Sequence, residues 1–269
     1  MIAISLTAHE NPRVVMELLS NIKFCYNGNA FLVVHVSADH KEAFFRHAAA
    51  KGIRLFDERI FWNDIEIGTR WGNTLPMQIW NYLYLKTKVR QSFTHFQIIS
   101  PSNLIIQGDL DLYVQRFDIV MRKTIPAGAG WVWTEAINAD ARYEQFRQAN
   151  GIARPLAARV DGLAVRDEIF GDFARRLLKI YSIADMQSVD PVYPLEETIL
   201  PSFLETQLQF GCRLGDGRAK TFEPNEPQPD VPTVQRLMQE GQIAYLKRVP
   251  PQEDDPVRQF ILRRMSYGR

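Results

Sequence analysis

Ile2-Ala3-Ile4-Ser5-Leu6-Thr7 and Phe31-Leu32-Val33-Val34-His35-Val36 are short apolar runs with a helical period, residues 12–22, between them. This spacing predicts strand, helix, strand. The second run is apolar almost throughout, as in a strand covered on both faces of a parallel sheet. The alternation continues outward. Helices are expected over residues 41–51, 74–88 and 167–180, the second with Leu75, Ile79, Tyr82 and Leu83 on its inner stripe. Strands are expected near 53–55, at 95–99, at 131–133 and at 159–165, and Asp109 is placed to cap a helix carrying Leu112, Val114 and Phe117. The fold class that follows is α/β, a mostly parallel, Rossmann-like sheet flanked by helices.

Ligands of such sheets sit outside the carboxyl ends of the strands. That rule directs attention to His9 after the first strand, Ser37 after the second, and Ser100 and Asn103 after the run at 95–99. Residues 221–233 hold Pro224, Pro227, Pro229 and Pro232, which exclude a helix and a central strand and predict a loop. No internal repeat is present.

The chain has 269 residues, 46% of them apolar and 23% charged, enough for one domain with a sizeable core. A formal net charge of +1 carries no basic excess of the kind that nucleic-acid partners require. No apolar run is long enough to span a membrane, and the first residues lack a secretory signal pattern, so no membrane span and a cytoplasmic location are expected. Cys25 and Cys212 lie far apart and fit free thiols of a reducing compartment.

Two late stretches carry the chemistry. Leu195-Glu196-Glu197-Thr198-Ile199-Leu200-Pro201 puts a carboxylate pair at the start of an amphipathic helix, and Ala244-Tyr245-Leu246-Lys247-Arg248-Val249 puts two cations at the end of a short apolar strand. A carboxylate to take a hydroxyl proton and cations to hold a leaving diphosphate are the parts that a metal-free sugar transferase needs. Adjacent helical residues point about 100° apart, so one member of the Glu pair is expected to face the cleft. Lys247 and Arg248, if extended, would face opposite ways. Plain alternatives exist for each: the two carboxylates complement the positive end of a helix, and the two cations are a solvated pair. Arg258 is either a third cation or a surface residue. Asp109-Leu110-Asp111 has the form of a metal-binding Asp-x-Asp, although the preceding strand ends well before it, at Ser100. His35 reads as a core imidazole, and His40, His47 and His95 show no metal spacing. Trp131 and Trp133 offer one ring to stack on an acceptor sugar, the other being core.

Several of these landmarks, in this order, resemble the core-2/I-branching beta-1,6-N-acetylglucosaminyltransferase-like glycosyltransferase family, in a bacterial-type form. They are the opening strand ending Thr7-Ala8-His9, Val33-Val34-His35-Val36-Ser37, Arg70-Trp71-Gly72-Asn73-Thr74 ahead of a helix, residues 96–105 with Ser100-Pro101-Ser102-Asn103, Leu195-Glu196-Glu197-Thr198, and Tyr245-Leu246-Lys247-Arg248. The resemblance covers residues 1–105 and 190–260. It implies a GT-A-like fold over the whole chain, with a nucleotide-sugar-binding half at about 1–125 and an acceptor-binding, catalytic half at 126–269. It also implies inverting transfer with no metal and no other cofactor, from a nucleotide-diphosphate sugar such as a UDP-sugar to a glycan or lipid-linked acceptor, as in polysaccharide biosynthesis. Glu197 would be the base with Glu196 beside it, Lys247 and Arg248 would bind the diphosphate, and His9, Ser37, Ser100 and Asn103 would lie at the donor. The chain departs from the family's pattern at Ser37 and Asn103, where carboxylates are usual, and at Pro101, where Gly is usual. These departures keep open a non-catalytic nucleotide-sugar or glycan-binding protein, and the Asp109/Asp111 pair keeps open a metal-dependent GT-A transferase.

Overall fold

The computed structural model describes residues 1–8, 11–69, 72–126, 128, 132–188, 193–223, 225–250, 252 and 254–267. His9, Trp71 and Trp131 therefore lie outside the described residues. In chain order the first elements are β1 (Ile2–Ala8), α1 (Pro12–Cys25), β2 (Ala30–Val36), α2 (Ala38–Ala50), β3 (Ile60–Asn63), α3 (Leu75–Tyr84), β4 (His95–Ile99), β5 (Asn103–Ile105) and α4 (Leu110–Gln115). There follow β6 (Ile119–Met121), β7 (Ile125–Pro126), α5 (Thr134–Ala139), α6 (Ala141–Ala149), β8 (Leu156–Ala157), β9 (Ala164–Arg166), α7 (Asp167–Leu177) and α8 (Ile183–Ser188). The chain closes with α9 (Ile199–Leu208), β10 (Leu214–Asp216), β11 (Ala219–Thr221), α10 (Val231–Glu240), β12 (Tyr245–Lys247) and α11 (Pro256–Tyr267).

The main sheet has seven strands in the order β10-β6-β9-β4-β1-β2-β3. All of its pairings are parallel except those of β9, which runs against both β4 and β6. The expected mostly parallel α/β sheet is present, and it draws strands from both halves of the chain. Its two faces follow from the alternation of β1. Ala3 joins Phe31, Val33, Phe96 and Ile98 in a core closed by α3, α7 and α9, while Ile2, Ile4 and Leu6 join Leu32 and Val34 against α1 and α4. Ser5 faces α3, where its hydroxyl accepts from Asn81 Nδ2 at 2.8 Å, so the polar residue inside the opening strand is satisfied. Among the described residues no helix is long and apolar enough to cross a membrane.

A smaller sheet, β11-β12-β5, is fastened to the main one by a buried network. The Tyr26 hydroxyl donates to Gln97 Oε1 at 2.6 Å, Gln97 Nε2 donates to the Tyr245 hydroxyl at 2.8 Å, and the two hydroxyls lie 2.7 Å apart. Gly162 makes this possible: its φ is +78°, and a Cβ there would stand 2.9 Å from the Tyr245 ring. Residues on either side of this joint, Asp161 and Lys247, belong to the site described below.

Local expectations fail where tertiary partners decide. The helix after Ser37 starts at once, at Ala38, and residues 53–55 are not a strand; the edge strand is β3 instead. Helix α3 passes at Leu85–Val89 into a wider π turn ending at Arg90, whose φ is +55°. Asp109 makes no capping bond, because its carboxylate accepts from Asn27 Nδ2 at 2.9 Å. Val132 and Trp133 form a turn leading into α5, and of residues 159–165 only the last two are extended, within β9. The proline-rich segment ends in α10, where Pro232 occupies the first turn, a place that needs no amide donor, and Asp230 Oδ1 accepts from the Thr233 amide at 2.9 Å.

Candidate active site

A cleft of about 910 Å³ opens at the carboxyl ends of the parallel strands. Thr7 of β1, residues 98–101 at the end of β4, and Arg122 with Lys123 after β6 form its strand-end wall. Facing them are residues 157–161, running from the end of β8 toward β9, the turn holding Glu196 and Glu197, and the end of β12 with Lys247 and Arg248. Glu197 and Lys247, fifty residues apart in sequence, thus share one cavity, and the Lys247 charge acts on the Glu197 carboxyl.

The Glu pair lies in the turn ahead of α9, not on the helix. The Glu197 amide donates to Pro194 O at 3.1 Å, and Glu197 O accepts from the Ala158 amide at 2.9 Å. The helical argument that only one carboxylate faces the cleft is therefore corrected, since both line it. Glu196 is 7% exposed and accepts from the Thr74 amide at 3.4 Å, at the start of α3. Burial drives its carboxyl above the usual range. Glu197 is pushed up to about 7, first by burial and then by the Glu196 charge, an effect that Lys247 partly offsets. A carboxyl tuned to that range is half ionised near neutral pH and well matched to taking a proton from a hydroxyl.

Lys247 leaves β12 with its Nζ 2.6 Å from Oδ2 of Asp161, whose side chain is 4% exposed. Arg248 has a φ of +68°, so the chain is no longer extended there, and both cations line the cleft instead of facing opposite ways. The Arg248 guanidinium donates to Phe222 O at 3.2 Å and lies 3.5 Å from Glu223. Arg159 meets the same Glu223 at 2.7 Å.

The expected donor residues separate. Ser100 lines the cleft. Ser37 and Asn103 are fully buried and stand behind it, because backbone amides use their oxygens. Ser37 Oγ accepts from the Thr69 amide at 2.9 Å, and Asn103 Oδ1 accepts from the Ser100 amide at 2.6 Å. Asn103 also pairs with Lys247 across the β5–β12 ladder, so it sits beside the basic strand, outside the residues that line the cleft. His9 lies outside the described residues. Trp133 lines the cleft.

Asp109 and Asp111 lie elsewhere. Asp111 is 1% exposed, and its carboxylate accepts from Asn27 at 3.0 Å and Asn29 at 2.6 Å. Those asparagines precede β2, so the Asp pair sits at the amino ends of the parallel strands, away from the cleft, where it ties α4 to the sheet. Arg258 is neither a third cleft cation nor a surface residue: it is fully buried, with Nη1 3.2 Å from Glu17. Sequence reasoning missed Arg122, Lys123, Arg159 and Asp161. The first two carried a signal, because Ile119-Val120-Met121-Arg122-Lys123 repeats the strand-then-cations pattern of residues 244–248. Arg159 and Asp161 carried none.

No family model matches the chain, and no curated protein matches it either. The core-2/I-branching resemblance accordingly rests on the motifs alone. Among solved structures, the chain is similar to core-mannan synthase A from Aspergillus fumigatus in its Mn/GDP form, with a TM-score of 0.43 and 10% identity over 81% of this chain and 72% of that one. At that distance neither the manganese nor the GDP of that protein passes to this chain.

Proposed function

We propose that this chain is a glycosyltransferase that moves a sugar from a nucleotide-diphosphate donor, a UDP-sugar for preference, to a glycan or lipid-linked acceptor, with inversion and without a metal. One observation carries the reading: a carboxyl tuned to about 7, Glu197, shares a cavity with the cations Lys247 and Arg248. In the proposed step the acceptor O–H gives its proton to Glu197 while its oxygen attacks the anomeric carbon. The bond from that carbon to the diphosphate oxygen breaks, and the nucleoside diphosphate departs with the electron pair. Lys247 and Arg248 hold the charge that develops there, in a concave site where such interactions are stronger than in water. Attack and departure on opposite faces invert the configuration. Glu196 does not touch the reacting atoms in this scheme; its charge raises the affinity of Glu197 for the proton.

Incubation with a panel of nucleotide sugars and glycan acceptors, with and without EDTA, tests this. The expected result is transfer that survives chelation and a product of inverted anomeric configuration. Donor binding without any turnover, or turnover lost on chelation, would overturn it.

A further inference from the structure

Among the described residues five cations line the cleft: Arg122, Lys123, Arg159, Lys247 and Arg248. Three of them already have carboxylate partners, Lys247 with Asp161 and the arginines 159 and 248 with Glu223. Arg122 and Lys123 differ. Among the described residues neither has a carboxylate within salt-bridge distance. Arg122 Nη1 instead donates to the neutral Thr221 hydroxyl at 3.1 Å. Thr221 is the register partner of Lys247 in the β11–β12 ladder, so Arg122 is tied to the strand next to the one that carries Lys247. Lys123, the next residue, is exposed and lines the same cavity.

Two adjacent like charges in a concave, partly apolar wall repel each other, and an anion between or beside them relieves that repulsion. The pairing of a planar guanidinium fork with a mobile ammonium suits the several oxygens of a phosphate group. We infer that Arg122 and Lys123, at the carboxyl end of β6, form a phosphate-binding subsite of the cleft, and that the cations with carboxylate partners complete it from the other side. The transferase reading supplies only the source of that phosphate, which is either the donor diphosphate or a phosphate group on the acceptor.

The test uses the full chain and calorimetric titration with inorganic pyrophosphate, then with UDP and GDP. Pyrophosphate affinity is expected to fall by about tenfold in Lys123→Gln and further in Arg122→Gln/Lys123→Gln, consistent with loss of charge-assisted hydrogen bonds. Arg46→Gln, on the exposed face of α2, should bind as the wild type does. Lys123→Gln changes an exposed side chain, so it keeps the test valid if Arg122→Gln disturbs the close packing of Arg122 on the Gly217 backbone. Loss of nucleoside diphosphate affinity in the same variants assigns the subsite to the donor. Unchanged nucleoside diphosphate affinity, with pyrophosphate binding lost in the presence of saturating UDP or GDP, assigns it to the acceptor. Unchanged pyrophosphate affinity in the double variant, or no pyrophosphate binding by the wild type, overturns the inference. Binding is read without turnover, so a chain that binds pyrophosphate through these residues but never transfers sugar would sink the transferase reading and leave the subsite standing.

Discussion

Glu197→Gln is expected to lower sugar transfer by about 10³-fold while donor affinity stays within about twofold, because the amide keeps the shape of the side chain but cannot accept the acceptor's proton. The same variant should be more stable than the wild type in mild alkali. The folded-state value near 7 lies above the ordinary 4.5, so folding favours the protonated carboxyl. Its contribution to stability is fully present below about pH 4.5 and is lost as the pH rises through about 7. At pH 8 the wild type carries a burden of about 3 kcal/mol that Gln removes, and at pH 4 the two chains should melt together. Denaturant unfolding at both pH values checks the sign. Equal stability at pH 8 would show that Glu197 is not strained, and transfer at the wild-type rate would show that it is not the base.

The second large effect separates stability from binding at the basic strand. Lys247→Met leaves the buried Asp161 carboxylate without its cation and should cost about 3–5 kcal/mol. Asp161→Asn should cost less, since Lys247 is 25% exposed and its ammonium can turn to water. The double variant Lys247→Met/Asp161→Asn removes both charges and should recover much of the lost stability, yet its affinity for a nucleoside diphosphate should stay low. A simple loss of binding in the single variant would be ambiguous, because a partly unfolded chain also fails to bind. Urea unfolding beside calorimetric titration resolves it. A double variant as unstable as Lys247→Met would contradict the burial argument, and one that binds as the wild type does would move the diphosphate away from Lys247.

The parts of this molecule that were legible in the sequence are those with a local period. The two apolar runs around residues 12–22 give β1, α1 and β2 nearly to the residue, and with them the carboxyl-end rule that locates the cleft. The pairing of Glu197 with Lys247 was suggested by the chemistry of their two stretches together with what the family resemblance implies, and the cleft brings both residues to one cavity. What escaped was set by long-range partners. Strands of two or three residues, such as β6, β8 and β11, are too short to show an alternation, so Arg159 could not be aligned with the cleft, and Arg122 and Lys123 were marked only by an apolar run ending in two cations. Asp161 looks like any loop carboxylate until β12 brings Lys247 beside it. Ser37 and Asn103 stand next to strand ends, as donor residues would, but their oxygens are consumed by the amides of Thr69 and Ser100. Asp109 and Asp111 have the spacing of a metal motif, but the asparagines before β2 claim them at the far end of the sheet.

The claim on which everything turns is that Glu197, held near neutrality by burial and by Glu196, takes the acceptor's proton. The pH dependence of kcat/KM for sugar transfer measures this directly, with the residual activity of Glu197→Gln as reference. The wild-type value should rise about tenfold per pH unit at low pH and level off above about pH 7, while the Gln variant shows no such limb. A wild-type profile that is flat across that range, or an inflection that persists in Glu197→Gln, would contradict it.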